Sequence, residues 1–186
     1  MSDIKPWKTL SSEPVIEGEY FKIRKDVCQL PDGTIIQDYY VREQEDSVCV
    51  FCVTKERQVV LVKQYRHAIG QITVELPGGF SGRHDLNMGE AARRELLEES
   101  GYSSKELKEI GIFYLDPSSV TAKVHFFYAP DAEKITAPKY REREVTETLL
   151  CSLSELKSMI DKGEMSSIIH VGAIRQAFNV LSKELE

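Results

Sequence analysis

Long apolar runs are missing from this chain of 186 residues; the longest, Val48–Val53, has the length of a strand, and no membrane span is expected. The opening, MSDIKPWKTL, lacks the apolar core of a secretory signal, which predicts a cytoplasmic protein. Basic residues are also short: 24 Lys and Arg face 30 Asp and Glu, a net charge of −6, and this argues against a nucleic-acid partner. Cysteines number only four. Cys49 and Cys52 have the spacing of a zinc knuckle, but they lie inside VCVFCV, where residues three apart point to opposite faces of a strand. No second Cys or His pair follows, so small buried side chains are expected rather than a metal site or disulfides. There are no repeats and no low-complexity tract. What remains is 41% hydrophobic, a composition that fits a folded globular protein.

The patterning predicts strands interspersed with a few helices. EYFKIRKDVCQL and TIIQDYYVR carry β-formers on either side of the turn Pro31-Asp32-Gly33, and SVCVFCVT and QVVLVKQYR form a second pair. ITVELPGGF follows as a short strand. From Met88 to Ser100 the period changes to that of an amphipathic helix, with Ala91, Ala92, Leu96 and Leu97 apolar and Gly101 as its stop. Further strands are expected at Lys108–Leu115, Lys123–Ala129 and Thr148–Ser152, with a loop from Pro130 to Arg143. Ser152 and Glu155 form a capping box for a helix to about Ile160, and Ser166 or Ser167 starts a last helix. The order of elements implies an α+β fold with a mixed sheet between helices. The expected division is an N-terminal β segment, 1–46, and a main domain, 47–186.

The segment PGGFSGRHDLNMGEAARRELLEESGY holds the chemistry. On a helix, Glu95 lies three residues before Glu98 and four before Glu99, so the three carboxylates crowd neighbouring faces. The spacing of Glu90, Arg94 and Glu98 suggests ion pairs that offset part of this crowding. A solvated acidic face is the ordinary reading of such a cluster, and a bound hard cation such as Mg²⁺ or Mn²⁺ the functional one. The stretch Arg94-Glu95-Leu96-Leu97-Glu98-Glu99-Ser100-Gly101-Tyr102 resembles the Nudix box at every position its core specifies. That resemblance implies the Nudix fold, an αβα sandwich, and hydrolysis of nucleoside diphosphates linked to another group. It assigns cation binding to Glu95, Glu98, Glu99 and the carbonyl of Gly78. Arg94 becomes a structural ion-pair partner beside Gly79 and Gly101. One departure stands out: the acidic residue usually found eight positions before the arginine falls on Leu86, in a loop one residue longer than usual, with Asp85 adjacent.

VVLVKQYRHAIGQITVELPGG and the opening with Trp7 and PDG look like the ADP-ribose and ADP-sugar pyrophosphatase branch, whose N-terminal strands make a small sheet exchanged or packed across a homodimer. The resemblance implies a small nucleotide-sugar substrate. It gives Arg66 a role on the diphosphate, where its planar fork suits two oxygens, against the alternative of a surface ion pair. Tyr65 and Trp7 become substrate contacts, and for Trp7 a hydrophobic anchor of the arm is the alternative. Glu144, and second Glu142, resemble the loop glutamates that supply a metal ligand or general base, with a plain charged loop as the rival reading. Asp116-Pro117-Ser118-Ser119 stands where the branch often has Ser-Pro-Gly. His67, His84, His125 and His170 show no ligand spacing and are expected to pack or face solvent.

The expected reaction is Mg²⁺-dependent hydrolysis of ADP-ribose to AMP and ribose 5-phosphate. Other nucleotide sugars, dinucleoside polyphosphates, oxidised nucleotides, a non-cleaving ADP-ribose sensor and a structural interaction domain are the alternatives.

Overall fold

The computed structural model describes residues 4–18, 21–82, 84–139 and 146–182. The chain divides into two compact units, Met1–Glu45 with Tyr114–Lys123, and Asp46–Phe113 with Val124–Glu186. Residues 114–123 thus count with the N-terminal strands.

The first unit is built on a three-stranded antiparallel sheet, β1 (Lys8–Glu17), β2 (Lys22–Gln29) and β3 (Ile35–Glu43), in the order β1-β2-β3. β1 escapes sequence reading because KTLSSEPVIE neither alternates nor lacks proline. It is exposed along its whole length, and its register shifts between Thr9 and Ser11 and between Pro14 and Ile16. Asp26 is buried here because it accepts from Ser12 Oγ at 2.6 Å and Arg24 Nε at 3.1 Å. Tyr39 donates to the carbonyl of Ser118, and Trp7 meets Tyr39 edge-on at 5.8 Å between centroids.

The second unit holds a sheet of eight strands among the described residues. Its path is β11 (Thr146–Ser152), β5 (Gln58–Arg66), β4 (Ser47–Thr54), β10 (Lys123–Lys134), β8 (Tyr102–Ser103). β6 (Gln71–Glu75) pairs β5, β7 (Gly78–Phe80) pairs β4, and β9 (Lys108–Tyr114) pairs β10. β4 runs parallel to β10 and antiparallel to β5, so the sheet is mixed. β10 runs beyond the expected end at Ala129, through a bulge at Asp131 with φ 48°, and occupies part of the predicted loop. Gly78–Phe80, expected only as the end of a strand, pairs as a strand of its own.

β4 explains why the layers form. Val48, Val50 and Cys52 alternate onto the face covered by helix α1 (Met88–Ser100), where they meet Ala91, Ala92 and Leu96. Cys49 and Phe51 point the other way, to His170 and Phe178 of α3 (Ile168–Val180). A strand apolar on both faces requires cover on both, and the result is helix, sheet, helix. Burial pushes the Cys52 thiol up to about 12, and Cys49 is raised further still. α2 (Leu153–Asp161) starts at the expected capping box, with both of its reciprocal bonds made. No described helix is long and apolar enough to cross a membrane.

Candidate active site

α1 is placed by its two ends. At the start, Asn87 Oδ1 accepts from the N–H of Glu90, and Glu90 returns a carboxylate to the N–H of Leu86. Glu90 is thus engaged at the cap rather than with Arg94, the partner its spacing had suggested. At the end, Gly101 takes φ 76° and donates to the carbonyl of Leu97. This left-handed stop suits glycine. Glu98 and Glu99 therefore sit in the last turn, which contains no basic residue. Carboxylates there oppose the helix dipole as well as one another, a placement that favours a cation nearby.

Two of the three box glutamates are drawn inward. Glu95 is 5% exposed and Glu99 8%. Glu99 Oε2 accepts from the N–H of Gly78 at 2.8 Å. The carboxylate of Glu95 lies over Gly79, where an added Cβ would sit 2.7 Å from Cδ and 2.8 and 2.9 Å from the two oxygens. Gly79 leaves the room Glu95 occupies. Gly78 is equally constrained, because a Cβ there would overlap the carbonyl of Val48 on β4.

Arg94 ties the carboxylates together. Its Nη1 bonds Glu95 Oε1 at 2.6 Å and Glu98 Oε2 at 3.3 Å. Nε and Nη2 form a fork on Asp85 at 3.0 and 2.7 Å, and Nη2 also reaches the carbonyl of Phe80 at 3.0 Å. The hydrogen bond to Asp85, foremost, and that to Glu95 outweigh partial burial and raise the guanidinium's pKa. Asp85 is in turn fixed by the N–H of Gly82, 2.7 Å away. Leu86, by contrast, is 85% exposed. Through the longer loop, the acid that meets the arginine is Asp85. Asp85→Ala is expected to cost about 2 kcal/mol in denaturant unfolding, since it strips a part-buried arginine of a bidentate partner. Adding Leu86→Glu should not restore it; recovery by that second change would overturn the assignment.

The remaining candidates fall in three places. Arg66 and Tyr65 end β5, with Tyr65 exposed and Arg66 forked onto Glu75 of β6 at 3.0 and 2.5 Å. Trp7 belongs to the first unit and is exposed. Glu142 and Glu144 lie outside the described residues. The chain on either side of them is attached to the end of α1: Lys139 donates to the carbonyl of Glu98 at 2.8 Å, and Thr148 Oγ1 to that of Ser100 at 3.2 Å.

Sequence reading did not single out Glu75, while His170, expected to pack or face solvent, packs, with its side chain 12% exposed. Glu75 is 3% exposed and Thr73 4%, while Ile72 faces solvent, so polar residues of β6 point inward. The available signal was Thr73 and Glu75 in phase within ITVEL.

Among the described residues no three His, Cys, Asp or Glu side chains are already gathered as a metal cluster. The donors present fit a hard divalent cation in kind: carboxylate oxygens on successive turns, one of them over a glycine that leaves it room.

The NUDIX domain profile matches residues 43–170, more than half the chain. The chain is a Nudix hydrolase. The profile of the nucleoside diphosphate sugar hydrolase N-terminal domain matches residues 7–41. An ADP-ribose pyrophosphatase of Bacillus subtilis (strain 168) is 29% identical over 163 residues, covering 85% of each chain. A GDP-mannose pyrophosphatase of Escherichia coli (strain K12) is 29% identical over 168 residues, covering 84% of this chain and 87% of its own. A crystal structure of an ADP compounds hydrolase superposes with a TM-score of 0.85 at 16% identity, covering 99% of this chain and 98% of its own. That likeness bears on fold, and the Nudix hydrolase has the mixed sheet and flanking helices the sequence implied.

Proposed function

We propose that this Nudix hydrolase cleaves the diphosphate bridge of ADP-ribose, releasing AMP and ribose 5-phosphate, with Mg²⁺ and as a cytoplasmic homodimer. The observation that carries the reading is the placement of Glu95 against Gly79 and of Glu99 against Gly78, with Glu98 and Glu99 in a last helical turn that holds no basic residue. The N-terminal match to nucleoside diphosphate sugar hydrolases and the ADP-ribose pyrophosphatase relative support the substrate class. The exposed apolar residues of the first strand and just before it, Trp7, Leu10, Val15 and Ile16, support a dimer that covers them.

Glu95, Glu98, Glu99, Glu144 and the carbonyl of Gly78 would hold the cation. Bound there, Mg²⁺ would supply charge neutralisation for the diphosphate and a lowered pKa for water. Glu144, or second Glu142, accepts the proton of the attacking water. The water oxygen bonds to one phosphorus while that phosphorus parts from the bridging oxygen, which leaves on the other phosphate. Arg66 holds diphosphate oxygens, and Tyr65 and Trp7 contact the rest of the substrate.

A GDP-mannose substrate is the second reading, favoured by the relative of equal identity that bears that name. The test is product analysis on ADP-ribose, GDP-mannose, ADP-glucose, Ap4A and 8-oxo-dGTP, each with Mg²⁺ and with EDTA. AMP release fastest from ADP-ribose and abolished by EDTA is the expected result. Faster GDP-mannose cleavage would replace the substrate and keep the site. Binding without cleavage of any compound would overturn the reading in favour of a sensor, and turnover undiminished in EDTA would remove the cation.

A further inference from the structure

Glu75 is a carboxylate buried inside the second unit, outside the box. Taking a carboxylate out of water costs several kcal/mol unless donors replace the water. Here they do. Thr73 Oγ1 donates to Oε1 at 2.7 Å, Gln64 Nε2 lies at 3.4 Å from Oε2, and Arg66 makes its fork from Nε and Nη2. His170 of α3 brings Nε2 to 3.0 Å from the same Oε2. Burial works to raise the carboxyl's pKa, but the hydrogen bonds from His170 and Arg66 prevail and hold it well below the usual range.

The hydrogens on His170 can be assigned. The N–H of Leu76 points to Nδ1 at 3.2 Å, and the Cys49 thiol lies 3.5 Å from the same nitrogen. A nitrogen that accepts a backbone N–H keeps its lone pair, so the ring proton sits on Nε2 and donates to Glu75. One imidazole thus fixes both Glu75 and the backbone N–H of Leu76, just ahead of Gly78.

A structural role alone would not need an opening to solvent, and the network has one. The side chain of Glu75 is 4% exposed and that of His170 12%, whereas that of Arg66 is 43% exposed. A buried acid, clamped by a histidine, grips a half-exposed arginine by its Nε edge and so sets the direction of the guanidinium. Such pre-orientation lowers the cost of binding a diphosphate.

We infer that His170 is a positioning residue for substrate: through Glu75 it orients the Arg66 guanidinium toward the phosphates. This rests on the proposed contact between Arg66 and substrate. The partners of Glu75 are Gln64, Arg66, Thr73 and His170 and include none of the box glutamates, so loss of the Nε2 donor belongs to binding rather than to the chemical step.

The amide substitutions separate the two ring nitrogens. His170→Gln keeps a donor at the place of Nε2; His170→Asn keeps only an acceptor at the place of Nδ1. Steady-state kinetics with the nucleotide sugar cleaved fastest should show KM raised about tenfold by His170→Asn, with kcat within about twofold, and KM near wild type in His170→Gln. Glu75→Gln should reproduce the rise, and thermal melts identify which variants are folded. In an Arg66→Ala background, where KM is already raised, His170→Asn should add nothing. Equal effects of Asn and Gln, or a fall in kcat at constant KM, would overturn the inference. Raised KM in Arg66→Ala beside an unchanged KM in His170→Asn and Glu75→Gln overturns it alone. Unchanged KM in Arg66→Ala removes the substrate role of Arg66 itself, and this inference with it.

Discussion

Replacing Glu99 by glutamine is expected to lower kcat by about a thousandfold, some 4 kcal/mol of transition-state stabilisation, while the protein stays folded. The amide oxygen of the substituted side chain can still accept from the N–H of Gly78, so the contact between α1 and β7 survives. What goes is a negative charge in a last helical turn that carries no basic residue. A hard cation loses more from that exchange than a backbone donor does. Rates of AMP release from ADP-ribose, taken beside circular dichroism and a melting curve, measure the two halves of the statement. Wild-type turnover in a folded Glu99→Gln protein would remove Glu99 from the cation site.

The second large effect is on stability. Gly101→Ala should cost about 4 kcal/mol, from left-handed strain and from overlap with a neighbouring backbone. Gly101 sits at φ 76°, and its added Cβ would run into the carbonyl of Thr136. Its own carbonyl accepts from Ile135 at 2.9 Å and Thr136 at 3.2 Å, so neither side yields easily. For a chain of this size the melting temperature should fall by about 10 °C in calorimetry. Gly101→Asn divides the causes: asparagine tolerates the left-handed region but carries the same Cβ. It should therefore remain strongly destabilised. A melting temperature close to wild type for both variants would contradict the crowding seen at Thr136.

Much of this was readable before any coordinates. Ala91, Ala92 and Leu96, with Gly101 after them, marked α1 from Met88 to Ser100, and Ser152 with Glu155 marked the start of α2, because periodicity and caps are local signals. β1 was not readable: Lys8–Glu17 is exposed throughout and derives its strand character from pairing with β2. The continuation of β10 past Pro130 was hidden for a similar reason, since a bulge at Asp131 lets the pairing resume. The grouping of the box glutamates is legible because their spacing sets them on adjacent turns of one helix. Between Asp85 and Leu86 the sequence does not choose, since only the path of a loop says which side chain turns to Arg94. Glu75 and His170 stand far apart in sequence and meet only because α3, laid against β4, brings His170 to the end of β6; no pattern in one strand announces a partner so distant.

The two attachments flanking residues 140–145 carry a consequence for how such a site can change over generations. Lys139 is held at Glu98, and Thr148 at Ser100, so the intervening chain begins and ends beside one turn of one helix. Closing a loop between fixed posts depends only weakly on its length, with each doubling costing about 0.6 kcal/mol. Lengthening the chain between these posts should therefore cost folding little. Helix α1 can thus stay as it is while the sequence between Lys139 and Thr148 grows, at little risk to the fold.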